Sequence, residues 1–201
     1  IKYQADCLNQ TKFVAQIIKE NSMIEPKVTL SVSTPNNLTR VIHIQGEINA
    51  QAEAPLMEAY SQASDQVMAI LEDLSPLVEQ VSVDEAFLDV SDLLLPLLSI
   101  ATDLQKRVQD ELSLPCSIGG ATSKLVAKIA NDYGKASVQT GKAPRKITII
   151  PEGHEKDFLA PLDVQAMWGI GPKTSQKLHS LGVHTIGQMA ELSLAELSRF
   201  F

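Results

Sequence analysis

Apolar positions recur with a helical period at Tyr60, Ala63, Val67, Ile70, Leu71 and Leu74, and the run stops before Pro76. The stretch VEQVSVDEAFLDV, residues 78–90, then reads as extended chain. Leu97, Ile100, Leu104, Val108 and Leu112 predict a helix over 97–112 with these residues inward. A short strand, CSIGGA, follows. Ser123 caps a further helix bearing Leu125, Val126, Ile129 and Ala130, which stops near Gly134. A loop with Gly141 and Pro144 leads to the strand KITII, which ends at Pro151. Residues 1–53 carry weaker signals: TKFVAQIIKEN reads as a short helix, and KVTLSVS and RVIHIQ as two strands around the turn TPNNLT.

The last fifty residues differ in kind. They read as purely helical and are punctuated by glycines at 169, 171, 182 and 187. Pro172 suits the first position of a helix, Leu178 and Leu181 supply its apolar face, and Gly182 suits the position just past its end. Ser193 and Glu196 form a capping box for another helix. A boundary between an alternating α and β part and a helical part falls at about residues 151–160.

Composition narrows the class. The chain has 201 residues, 44% apolar and 20% charged, enough for one sizeable core and a small second one. Its longest apolar run, Leu93 to Ala101, is broken by Pro96 and falls short of the roughly 20 residues that span a bilayer, so no membrane partner is expected. The N-terminus has neither an initiator Met nor a secretory signal, which suggests a fragment. Cys7 and Cys116 form no CxxC pair, and a reducing, cytoplasmic setting fits best. The net charge of −7 argues at first against nucleic acid, but it is unevenly spread. Residues 1–121 hold 7 Lys+Arg against 17 Asp+Glu, giving −10, whereas residues 122–201 hold 10 against 7, giving +3. That division is compatible with a carboxylate metal site beside a phosphate-binding surface, and equally with a chance fluctuation in an acidic protein.

Asp84 and Glu85 are adjacent acids in a stretch that otherwise reads as strand, where neighbouring side chains diverge. At the tip of a hairpin, backbone curvature brings both carboxylates to one point, and clustered oxygen ligands favour hard cations such as Mg²⁺. The dipeptide alone also fits an ordinary solvated turn. Lys124 and Lys128 lie one helical turn apart and face either DNA or solvent. Around Gly169-Ile170-Gly171, glycines allow close approach of a phosphate to the backbone, and the helix starting at Pro172 offers amide groups and a positive dipole end, with Lys173 beside them. A tight interhelical turn needs glycine for geometry as well. Trp168 reads as a core anchor, and His154, His179 and His184 show no metal-ligand spacing.

Three ordered motifs carry a resemblance. AYSQASDQVMAILEDLSPLVEQVSVDEAFLDVSD resembles the palm of Y-family DNA polymerases, CSIGGATSKLVAKIANDYGKA their next strand and helix, and FLAPLDVQAMWGIGPKTSQKLHSLGVHTIGQMA their thumb. The resemblance implies an α/β (α+β) fold: a partial palm with ferredoxin-like βαβ elements over 54–151, and a small all-α thumb with a helix-hairpin-helix over 152–201. Residues 1–53 are left as an unmatched N-terminal segment. It implies error-prone translesion synthesis in DNA repair, two Mg²⁺ ions, dNTP and primer-template DNA as partners, and a sliding clamp for the full-length protein. Asp84 matches the family's second metal-binding aspartate, Glu85 the adjacent catalytic glutamate, and Lys135 the lysine on the incoming triphosphate; Gly169, Gly171 and Lys173 fall on the DNA-backbone-binding hairpin. The family's first strand carries another metal-binding aspartate, followed by a ribonucleotide-excluding aromatic and a fingers region, and none of these is recognisable in residues 1–53. Asp6 in YQADCL lacks that context and is not assigned. The little finger that would follow Phe201 is likewise missing from the match. The chain is therefore expected to be inactive alone, with a noncatalytic DNA-backbone-binding module as the alternative.

Overall fold

The structure is a computed structural model. It describes the backbone of residues 2–6, 16–18, 29–36, 39–45, 50–137 and 145–200, with side chains from residue 57 onward except 59, 199 and 200. Two sheets are present in these residues. The larger contains β5 (Val78–Gln80), β6 (Glu85–Asp89), β1 (Lys2–Asp6), β7 (Ser117–Ala121) and β8 (Ile147–Ile149), in that spatial order. β1 runs antiparallel to both β6 and β7, whereas β7 and β8 are parallel, as a strand-helix-strand crossover requires. The smaller sheet has the order β2 (Gln16–Ile18), β4 (Thr39–Gln45), β3 (Thr29–Asn36). β3 and β4 are the two strands expected around TPNNLT. Gln16–Ile18 is a strand where a helix was expected: Ile17 pairs in parallel with Ile44, and a local helical period cannot reveal that long-range partner.

Strand alternation sorts the large sheet into two faces. Ala86 and Leu88 of β6 and Ile118 of β7 turn one way, against α1 (Ala50–Leu74) and α2 (Leu97–Leu112). Val67, Ile70 and Leu71 from α1 and Ile100, Leu104 and Val108 from α2 complete this core, all nearly inaccessible to water. Burial of each such side chain contributes about 1.5–3 kcal/mol. α1 begins ten residues before the expected Tyr60, in the segment AQAEAPL, whose alanines at 50, 52 and 54 favour helix.

Glu85, Phe87 and Asp89 turn to the other face, on which α3 (Lys124–Ala136) packs. Ser123 caps α3 by accepting from the Val126 N–H. Val126, Ala127, Ile129, Ala130, Asn131 and Gly134 form its buried stripe. Leu125, in the first turn, is 36% exposed. The helix approaches the sheet very closely at Gly119, where a Cβ would lie 2.0 Å from the Ala127 carbonyl oxygen.

The C-terminal part is helical, as expected: α4 (Glu155–Leu159), a 3-10 turn at Val164–Ala166, α5 (Pro172–Ser180), α6 (Ile186–Ala190) and α7 (Leu194–Phe200). Val164, Leu178 and Val183 form its small core. Leu181 is exposed because it caps α5 from outside the helix, where helical spacing no longer orients it. Gly182 takes the left-handed conformation expected of a residue past a helix end, and the Ser193–Glu196 capping box forms. A second box, Thr185 with Gln188, opens α6. Trp168 is 52% exposed and not a core anchor; its ring centroid lies 6.0 Å from that of Phe87 in the sheet. Among the described residues no helix is long and apolar enough to cross a membrane. Cys116 is a buried free thiol, and Cys7 lies outside the described residues.

Candidate functional site

The tight connection between β5 and β6 is closed by two backbone hydrogen bonds, from the Val81 and Ser82 N–H groups to the Glu85 carbonyl, at 2.9 and 3.1 Å. Asp84 is the last residue of this turn, and Glu85 is the first residue of β6 rather than part of the tip. The Ser82 hydroxyl donates to Asp84 Oδ1 at 2.5 Å and accepts from the Asp84 N–H at 3.4 Å, so the turn itself orients that carboxylate.

The two acids have different neighbours. The charge of Asp84 reaches Tyr60 on α1, whose phenol is pushed above its ordinary value by burial first and by Asp84 second. Glu85 instead meets α3: Lys128 Nζ lies 2.7 Å from Glu85 Oε1, with side chains only 13% and 18% exposed. Helical spacing continues the array, because Lys128 also lies 3.3 Å from Asp132, and Asp132 lies 3.8 Å from Lys135. Lys124, one turn before Lys128, pairs with Glu79 and sits over the Phe87 ring, 5.5 Å from its centroid. Both lysines thus pair with acids of the sheet.

Burial and charge compete along this helix. For Lys128 burial lowers the pKa, but hydrogen bonding to Glu85 and the charges of Asp132 and Glu85 outweigh it and the net direction is upward. Asp132 is pushed up, chiefly by burial, against the opposing pull of Lys128. Lys135 is brought down to about 8 by burial. Sequence reading marked none of Asp132, Ser82 and Tyr60 as neighbours of the two acids, and took Lys128 only as facing DNA or solvent. The i, i+4 spacing of Lys128 and Asp132 is visible in sequence, but nothing there shows that the pair lies against Glu85.

Strand β1 adds a third acid-bearing position. The β1–β6 register sets Asp6 directly opposite Glu85, and the β1–β7 register sets it opposite Ser117. The residue left unassigned by sequence is therefore at the end of the central strand, beside the acidic turn. Carboxylate oxygens are the donor set that suits a hard divalent cation. Among the described side chains no group of three or more potential ligands is assembled, and Asp84 and Glu85 provide two oxygen donors adjacent in the chain.

The hairpin before α5 is the second candidate. Gly169 has φ +94, a conformation that favours glycine. Gly171 precedes α5 in an extended conformation, without a side-chain cap. Both glycines and Lys173 are exposed, while Ile170 between the glycines packs against the small core. Open space surrounds both glycines, so an outside group can come close to this backbone.

Comparison with known proteins places the chain. The impB/mucB/samB family matches residues 10–132, and the IMS family HHH motif matches residues 152–183. The first match takes in residues 10–53, where motif reading found no counterpart. DNA polymerase IV 2 of Mesorhizobium japonicum is 39% identical over 143 residues, covering 70% of this chain and 32% of that protein. DNA polymerase IV 1 of Bacillus subtilis is 40% identical over 147 residues, covering 72% and 34%. The chain thus spans about a third of the length of the curated relatives it matches. In fold it is similar to a DinB family error-prone DNA polymerase from Sulfolobus solfataricus, with TM-score 0.63, 23% identity, and coverage of 80% of this chain and 44% of that one. It is also similar to the insertion ternary complex of Dbh DNA polymerase, with TM-score 0.69, 18% identity, and coverage of 99% and 62%. With the family match spanning more than half of its length, the chain belongs to the impB/mucB/samB family, and its fold is that of the Y-family DNA polymerases.

Proposed function

We propose that this chain supplies the palm, over residues 54–151 together with strand β1, and the thumb, over 152–201, of a DNA-directed DNA polymerase that performs error-prone translesion synthesis. The observation that carries the reading is the placement of Asp6 opposite Glu85, beside Asp84, on adjoining strands. Asp84 and Glu85 would hold divalent cations, for which Mg²⁺ is our choice, and the Ser82 hydroxyl keeps Asp84 oriented. The chemistry such cations would supply there is charge stabilisation of phosphoryl transfer. Lys135 reaches the triphosphate of the incoming dNTP. With its pKa near 8 it is mostly protonated at neutral pH, and a neighbouring anion strengthens that charge. Gly169, Gly171 and Lys173 hold the primer-template through its phosphates, independently of base sequence.

The test is primer extension by a chimera in which these 201 residues replace the matching part of the Bacillus subtilis relative. Asp84→Asn and Glu85→Gln should each lower turnover by about a thousandfold, or about 4 kcal/mol of barrier. Primer-template affinity, measured without metal, should stay within about twofold, since neither residue lies on the hairpin. Near-normal turnover in both variants would remove the acidic turn from the reaction. On its own, the 201-residue chain should not extend a primer detectably.

A further inference from the structure

We propose that Lys128 is the internal counter-cation of Glu85, and that it transfers to Asp132, one helical turn on, when a divalent cation engages Glu85. The inference rests on the reading of Glu85 as a metal-binding carboxylate. Its geometric basis is that one ammonium already spans two acids, 2.7 Å from Glu85 and 3.3 Å from Asp132.

The pair at Glu85 is the more secluded, with side chains 13% and 18% exposed, whereas Asp132 is 49% exposed. Without a metal, Lys128 neutralises a carboxylate that water reaches poorly, and removing one partner of such a pair leaves an uncompensated charge. A divalent cation on Glu85 would compete for the same oxygens and repel the ammonium. Lys128 therefore either weakens metal binding or moves. The four-carbon lysine stem permits a short swing, and Asp132 is an acceptor already within ion-pair reach. Asp132 also lies 3.8 Å from Lys135, so the transfer would bring the ammonium closer to the residue we assign to the triphosphate.

The experiment uses the 201-residue chain with Mn²⁺ as the probe. Free Mn²⁺ is followed by electron paramagnetic resonance, and melting in EDTA by circular dichroism. Glu85→Gln defines the binding that belongs to this site. Lys128→Met should tighten that binding by about tenfold, as expected on removing a like charge within about 4–6 Å, and should lower the melting temperature in EDTA. Asp132→Asn, a change at a half-exposed position, should weaken Mn²⁺ binding about threefold because Lys128 loses its second acceptor; it tests the idea even if Lys128→Met fails to fold. Lys128→Arg should restore the EDTA melting temperature.

If Glu85→Gln weakens Mn²⁺ binding while Lys128→Met and Asp132→Asn match the parent, the transfer is overturned and the metal reading stands. If Glu85→Gln leaves binding unchanged, or the folded parent binds no Mn²⁺ at millimolar concentration, the metal reading fails and the transfer fails with it.

Discussion

Gly119 and Lys135 show how single positions on and under α3 shape the molecule. At Gly119 a Cβ would come 2.0 Å from the Ala127 carbonyl oxygen and 2.6 Å from the Asn131 backbone nitrogen. Both obstacles are helix backbone, so α3 would have to lift from the sheet. Gly119→Ala should cost about 3 kcal/mol in urea unfolding, the upper part of the range for overpacking. A loss below about 1 kcal/mol would mean that the helix is not pinned there. Lys135 makes a pH prediction with a defined sign. Its pKa falls from the ordinary 10.5 to about 8 on folding. Below pH 8 both states are charged and the folded state carries the full cost of burying the ammonium. Between about 8 and 10.5 the unfolded chain binds more protons, so this group makes stability rise with pH. Lys135→Met should therefore be more stable than the parent at pH 7, and the difference should shrink toward pH 10.5. A difference independent of pH would show that Lys135 is not desolvated in solution.

At the scale of elements, the hairpin into α5 separates geometry from binding. Gly169 is constrained by its φ of +94, but Gly171 is extended and open, so Gly171→Ala should leave circular dichroism and melting unchanged. If a phosphate approaches this backbone, the same change should weaken duplex binding several-fold regardless of sequence. Lys173→Ala should weaken it uniformly and make the salt slope shallower by about one unit in fluorescence anisotropy. Unaltered affinity in both variants would leave the hairpin as a turn between helices. The smaller helices around it were legible because their signals are local: Pro172 at a first turn, Gly182 past an end, and Ser193 with Glu196 in a capping box. Leu181 lies off the apolar face read for α5 because helical spacing assigns a face only within a helix, and Leu181 is its C-cap.

For the molecule as a whole, the decisive feature is that β1 occupies the centre of the five-stranded sheet, between β6 and β7. It joins the N-terminal residues to segments about 80 and 110 positions later and sets Asp6 opposite Glu85. Local signals were enough to place α2 from Leu97 to Leu112, β7 and β8, the turn that holds Asp84, and the glycine hairpin. In each case the information is a period, a cap or a motif held within about twenty residues. What meets across the chain emerges only on folding: β1 with β6, Gln16–Ile18 with β4, and Lys128 with Glu85, 43 positions apart. The physical reason is that strand register and the side of the sheet on which a helix packs are set by burying surface from distant segments together, and no local spacing records the partner.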